Sequence, residues 1–232
     1  MSAISFPDPE TLSQAINETG YAMLPGLLGV RGCAALAKLY DGEGGFRSRV
    51  VMARHGFGQG EYRYFAYPLP DIVEALRTAH YPPLAAIAND WNVNLGDARR
   101  YPADLETYLG ECHARGQTRP TPLLLRYGPG DHNRLHQDLY GEEVFPLQVT
   151  ILLSRPGEDF TGGEFVLTEQ RPRQQSRVEV VPLSRGDGVV FPVRNRPVAG
   201  ARGFYRATVR HGVSRLHSGG RTTLGMIFHN AR

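Results

Sequence analysis

LLLRYGPGDHNRLHQD, running from Leu123 to Asp138, decides how the rest of the chain is read. It opens on an apolar run, Leu123 to Tyr127, with the length and texture of a buried strand. Gly128-Pro129-Gly130 then supplies turn chemistry, because glycine reaches positive φ without strain and proline presets its own φ. The stretch closes on His136-Gln137-Asp138. In an extended chain residues i and i+2 share a face, so His136 and Asp138 reach toward one point across Gln137. A His-x-Asp triplet arises often by chance, and its weight depends on what surrounds it.

Downstream the texture stays β. Short apolar or alternating runs occur at Leu147 to Leu153, Gly163 to Leu167, Val178 to Leu183, Gly188 to Phe191, Tyr205 to His211 and Arg221 to Phe228. Turn residues separate them, among them Arg155-Pro156-Gly157, Gly186-Asp187-Gly188 and Ser218-Gly219-Gly220. Several short strands at regular spacing predict a sandwich or barrel. Upstream of Pro120 the chain reads as helical with short strands. Asp8-Pro9-Glu10 starts a helix that Gly20 ends, and Val30 to Tyr40 forms a second. Further helices are expected over Asp71 to Ala79, Leu84 to Trp91 and Ala103 to Ala114, with a break at Pro82-Pro83. Tyr21 to Leu24 reads as a strand, and Arg49 to Ala53 pairs with Tyr62 to Tyr67 across the loop His55 to Gly60. The expected architecture is mainly β with α. A helical N-terminal layer, residues 1–120, packs on a β core, residues 121–232, the two forming one integrated domain.

Of the 232 residues 41% are hydrophobic and 21% charged, the balance of a soluble globular protein. No apolar run approaches a membrane span. Met1 to Glu10 lacks the basic and apolar regions of a secretory signal. Cys33 and Cys112 lie far apart in expected helices and read as reduced thiols of a cytoplasmic protein. Net charge is only +3, but from Arg171 onward twelve arginines face two acids, Glu179 and Asp187. Two readings of that skew stay open: solvated strand faces, or a positive surface for phosphate-bearing partners.

Three downstream histidines compete to complete a site with His136 and Asp138. His211 ends an expected strand and is followed ten positions later, across one turn, by Arg221. His217 lies in the connecting segment, and His229 sits near the C-terminus with no strand beyond it. His132 falls in an expected loop before the motif. His211 is therefore the favoured partner. Two imidazoles and one carboxylate suit a divalent iron held on one face with three positions open, whereas an all-thiolate set would favour zinc or an iron–sulfur cluster.

Taken together, Tyr127-Gly128-Pro129-Gly130, His136-x-Asp138, Gly162-Gly163-Glu164-Phe165, Gly186-Asp187-Gly188-x-x-Phe191 and the His211/Arg221 pair resemble the 2-oxoglutarate/Fe(II)-dependent dioxygenases. The resemblance spans roughly residues 121–232. It implies a double-stranded β-helix, or jelly roll, with Fe(II) on His136, Asp138 and His211 and with O2 as co-reactant. It also implies 2-oxoglutarate bound at its keto-acid end by iron and at its far carboxylate by Arg221, with Tyr127 and Thr223 as further hydroxyl donors. More narrowly, the chain is similar to bacterial AlkB-like oxygenases described as oxidative demethylases of alkylated nucleic acid. Tyr127, nine residues before His136, matches the spacing of their cosubstrate-binding tyrosine. The short step from His211 to Arg221 is closer to prolyl-hydroxylase-type enzymes. Three functions stay open: demethylation of alkylated, single-stranded DNA or RNA, hydroxylation of a protein side chain or small metabolite, and a non-catalytic jelly-roll metal-binding or sensing protein. Residues 54–67, rich in Gly, Arg and aromatics, form either a substrate lid or an ordinary hairpin, and Arg126 and Arg134 are either phosphate contacts or solvated.

Overall fold

The computed structural model describes residues 8–232; residues 1–7, part of the stretch read as lacking a secretory signal, lie outside it. The N-terminal portion runs α1 (Pro9–Thr19), β1 (Ala22–Leu24), α2 (Val30–Leu39), β2 (Phe46–Val51), a 3-10 turn (Met52–His55), β3 (Gly58–Gln59), β4 (Glu61–Phe65), α3 (Asp71–Asn94) and α4 (Leu105–Ala114). Eleven strands follow: β5 (Leu123–Tyr127), β6 (His132–His136), β7 (Leu147–Leu152), β8 (Phe160–Gly162), β9 (Phe165–Gln170), β10 (Arg177–Val181), β11 (Gly188–Pro192), β12 (Asn195–Gly200), β13 (Gly203–Val213), β14 (Leu216–Gly219) and β15 (Arg221–Met226). The start and stop of α1 follow its residues. The Asp8 side chain accepts from the Thr11 N–H at 3.2 Å, and Gly20 takes the left-handed conformation with its N–H on the Ile16 carbonyl.

Two antiparallel sheets face each other in a jelly roll. The larger has the order β1-β11-β7-β15-β5-β4-β2, and the smaller β10-β9-β13-β6-β3, with β12 pairing β13. Strands from the first 120 residues therefore extend both sheets: β1, β2 and β4 join the larger one and β3 the smaller. Period-two alternation assigns each face of the larger sheet. Leu124, Val149, Ile151, Val190, Leu224 and Met226 turn outward and bury against α1 to α4 with Leu36, Leu76, Tyr81 and Trp91. Their neighbours Leu125, Tyr127, Leu152, Val189 and Phe191 turn inward to meet Phe165, Leu167, Val209 and Val213 of the smaller sheet. Each fully buried aliphatic side chain contributes about 1.5–3 kcal/mol. At the Gly186-Asp187-Gly188 turn, Gly186 has φ +89°, and a Cβ there would lie 2.1 Å from the Leu28 carbonyl oxygen. Only glycine fits.

Four expectations need correction. The expected break at Pro82-Pro83 does not occur, because α3 runs unbroken from Asp71 to Asn94. The prolines remove two helix donors, but buried side chains on both sides hold the helix together: Arg77, His80 and Tyr81 before them, Leu84, Ala85 and Trp91 after. Tyr81 stacks on Tyr108 at 5.4 Å and packs on Phe145 at 5.0 Å. His132 lies not in a loop but at the start of β6, and His217 not in a connector but in β14. His211, expected to end its strand, lies inside β13, which continues to Val213. Among the described residues no helix is long and apolar enough to cross a membrane.

Candidate active site

The smaller sheet carries three convergent ligand-type side chains. His136 ends β6 and is the register partner of His211 on β13, with ring centroids 4.1 Å apart. Asp138 follows two residues later. Its Oδ2 is 3.3 Å from His211 Nε2, and its Oδ1 3.6 Å from His136 Nε2. One ligand atom from each of the three lies within 4.8 Å of the others. The intervening Gln137 donates to the Val209 carbonyl at 2.8 Å and the Arg194 carbonyl at 3.3 Å. The middle residue of the triplet thus clamps the other two to the strand that bears His211.

The protons in this cluster are fixed by its surroundings. His136 Nδ1 sits 2.7 Å from the Arg134 carbonyl, which can only accept. Nδ1 therefore carries the proton, and Nε2 presents a lone pair to the centre. Burial, and then the neighbouring His211, push the His136 pKa down, favouring that neutral form. Burial alone would raise the Asp138 carboxyl, but the His211 hydrogen bond, both imidazoles and the Tyr140 hydroxyl overcome it and hold the group well below the usual range. An imidazole lone pair beside an ionised carboxylate calls for a cation between them. The donor set fits a divalent iron.

The larger sheet faces this cluster with a second charged group. Arg221, first in β15, pairs in register with Tyr127 on β5 and is 2% exposed. Its Nε and Nη1 are buried without a partner, as is the Tyr127 hydroxyl. Burial lowers the Arg221 pKa to about 10, with Tyr127 and Glu164 acting in the opposite direction. Thr223 lies two residues along the same inward face. Gly163 makes room: a Cβ there would lie 2.6 Å from Leu216 Cδ1 and 3.1 Å from Arg221 Cδ. His136, Asp138, His211, Tyr127, Arg221 and Thr223 all line one cavity of about 190 Å³.

Other candidates fall outside it. Arg126 pairs with Asp41 at 2.5 Å and lies over the Tyr40 ring, and Arg134 donates to the Gly56 carbonyl. His217 is exposed on β14. His229 is fully buried, its Nδ1 accepting from the Phe145 N–H at 3.2 Å. Half of residues 54–67 is tied into β3/β6 and β2/β4 pairing, leaving Phe57 half exposed at the cavity and stacked on His55 at 5.3 Å. The sequence reading passed over Tyr140 and Gln148. Tyr140 donates to Asp138 Oδ1 at 2.7 Å, and Gln148 Nε2 lies 3.4 Å from His211 Nε2. Tyr140 repeats the i+2 step from Asp138, the one signal that pointed to it.

Burial gives His229 a measurable consequence. Desolvation drops its pKa from 6.5 to about 4 in the fold, so the unfolded chain binds a proton more readily between those values. The stability this neutral group contributes is fully present above pH 6.5 and is lost as the pH falls toward 4, a loss of about 3 kcal/mol. Urea unfolding from pH 7 to pH 4 should show a shallower acid slope for His229→Gln than for the wild type. Equal slopes would refute the assignment.

Comparison with known proteins agrees with this geometry. A family model described as an oxygenase "catalysing oxidative methylation of damaged DNA" matches residues 60–231. An uncharacterized protein of Mycobacterium tuberculosis, in strains CDC 1551 and H37Rv, is 53% identical over 167 residues, covering 72% of each chain. The fold is shared with a Pseudomonas putida prolyl-4-hydroxylase (TM-score 0.54, 16% identity, covering 97% of this chain and 100% of that one). It is also shared with an oxidoreductase of the 2OG-Fe(II) oxygenase family from Burkholderia pseudomallei (TM-score 0.51, 20% identity, covering 98% of this chain and 94% of that one). The chain belongs to the oxygenase family so described.

Proposed function

We propose that the chain is an Fe(II)- and 2-oxoglutarate-dependent dioxygenase that demethylates alkylated bases in single-stranded DNA or RNA. The observation that carries this reading is the buried guanidinium of Arg221, two of whose nitrogens lack a hydrogen-bond partner and which lines the same cavity as the His136-Asp138-His211 cluster. Buried cationic N–H groups left unbonded are costly to the fold, so a site that keeps them suits an anionic ligand. His136, Asp138 and His211 would hold iron, and Arg221 would take the far carboxylate of 2-oxoglutarate. With O2 as oxidant, iron and 2-oxoglutarate bound there would supply oxidation of an unactivated C–H bond; an N-methyl group hydroxylated in this way would lose formaldehyde and leave the N–H.

The chain's own residues do the rest. Arg221 would anchor the cosubstrate's far carboxylate, which its planar fork suits bidentately. Tyr127 and Thr223 offer hydroxyl donors beside it. Phe165, Phe191 and Val213 keep water from the reacting side of the cavity. Two observations favour a nucleobase as substrate: the family's description names damaged DNA, and Phe57 offers a half-exposed aromatic face at the cavity. Stacking of one base on an aromatic ring contributes about 1–3 kcal/mol. The free, buried thiols of Cys33 and Cys112 favour a reducing, cytoplasmic location.

Formaldehyde release from methylated single-stranded oligonucleotides tests the proposal. Release should require iron and 2-oxoglutarate and vanish in His136→Ala. Cosubstrate turnover with no oligonucleotide product across a broad lesion panel would overturn the nucleic-acid substrate. A gain of one oxygen atom on peptides or metabolites in a treated lysate would then identify a hydroxylase. Metal binding with no 2-oxoglutarate consumption under any condition would identify a sensing protein instead.

A further inference from the structure

Asp138 presents two oxygens to two different neighbours. Oδ2 lies 3.3 Å from His211 Nε2, while Oδ1 accepts the Tyr140 hydroxyl at 2.7 Å. We propose that Tyr140 is a positioning residue that holds the Asp138 carboxylate as a one-oxygen metal ligand, the inference resting on the iron site assigned above.

The chemistry of the pair fixes which partner donates. An ionised carboxylate only accepts, so the proton is the phenol's. The ring cannot swing away easily. It meets Tyr64 edge-on, with centroids 6.1 Å apart at 88°, and lies 6.0 Å from the His229 ring on another side. His229 is in turn pinned by the Phe145 N–H. The hydroxyl is therefore delivered to Oδ1 by a packed aromatic wall.

The consequence concerns coordination number. Two imidazoles and one carboxylate oxygen leave three open positions on an octahedral metal, enough for a bidentate keto acid and one further ligand. A carboxylate free to bind through both oxygens would occupy one of those three. Engaging Oδ1 in a hydrogen bond that the metal cannot supply disfavours the two-oxygen mode. His136 has an equivalent restraint in the Arg134 carbonyl, whereas His211 Nδ1 has none. His211 is oriented by ring contacts instead, to His136 at 4.1 Å and Phe191 at 4.9 Å.

The test uses the whole chain and Mn(II) as a redox-inert probe, with free metal followed by electron paramagnetic resonance. Loss of an outer partner of a metal ligand typically weakens metal affinity roughly 10–100-fold, and Tyr140→Phe should fall in that window. Its metal-free melting temperature should stay close to wild type, because the ring packing is retained. Fluorotyrosine at position 140 keeps both shape and donor and should restore Mn(II) binding. Wild-type affinity in Tyr140→Phe would overturn the inference, as would failure of fluorotyrosine to rescue. If Tyr140→Phe does not fold, fluorotyrosine and difluorotyrosine decide, since their increasingly acidic phenols should grade the affinity and a flat response refutes the role. A wild-type protein that binds no Mn(II) would refute the iron site itself, a result distinct from a site that binds metal equally well with and without the Tyr140 hydroxyl.

Discussion

Replacing Arg221 with methionine should raise the stability of the ligand-free protein while destroying its affinity for 2-oxoglutarate. The two effects share one cause. Arg221 is 2% exposed and two of its nitrogens have no hydrogen-bond partner, so without ligand the fold bears a buried charge eased only by the Tyr127 and Phe160 rings and by Glu164. Substituting apolar groups of similar volume for buried ionic ones commonly stabilises by about 1–4 kcal/mol. In a chain of this length each kcal/mol moves the melting temperature by about 2–4 °C. With ligand the sign reverses. Truncating one member of a buried, hydrogen-bonded charge pair costs about 2–5 kcal/mol, a rise of roughly thirty- to several-thousand-fold in the 2-oxoglutarate dissociation constant. Adding 2-oxoglutarate and Mn(II) at a hundred times the dissociation constant should stabilise the wild type by about 2.7 kcal/mol and the variant hardly at all. Arg221→Lys keeps charge but loses the planar fork, and should fall between the two. A methionine variant with unchanged 2-oxoglutarate affinity would eliminate Arg221 as the anchor.

His211→Ala should lose Mn(II) by more than the roughly 100-fold that removal of an outer partner costs, and oxygenase turnover with it. His217→Ala should change neither. The contrast is sharp because the two histidines are six residues apart on consecutive strands, β13 and β14. His211 turns inward at the register position of His136, whereas His217 is exposed. Metal titration of both variants under identical conditions separates the site from a merely histidine-rich hairpin. Equal losses in the two would mean that the third ligand has been misassigned.

Much of the fold was legible in the sequence. The strands carrying inward aliphatics, β5, β7, β11 and β15, announce themselves because both their faces are buried. The candidate residues that line one cavity stood out in the sequence because they are unusual types in apolar surroundings, as with Arg221 within a strand whose six residues are all buried. Elements that serve the site rather than the core were hidden. His132-Asn133-Arg134-Leu135-His136 forms β6 with almost no apolar alternation, since its inner side chains face the cavity instead of packing. β12 contains Pro197, which argues against a strand, yet β12 pairs only with β13 and loses no ladder bond on its free side. The unbroken α3 was invisible for the opposite reason. Local chemistry demanded a break that tertiary packing overruled.

The placement of the two charged groups on opposite sheets has one last consequence. Facing sheets stack at a spacing of roughly 10 Å, and the His136-Asp138-His211 cluster stands on one while Arg221 stands on the other. If the proposed site holds, that gap acts as a ruler for dicarboxylates. Diacids one carbon shorter or one carbon longer than 2-oxoglutarate should then bind more weakly than 2-oxoglutarate itself, a difference that titration calorimetry with each acid would show. Equal affinities for all three would mean that the thickness of the sandwich does not select chain length.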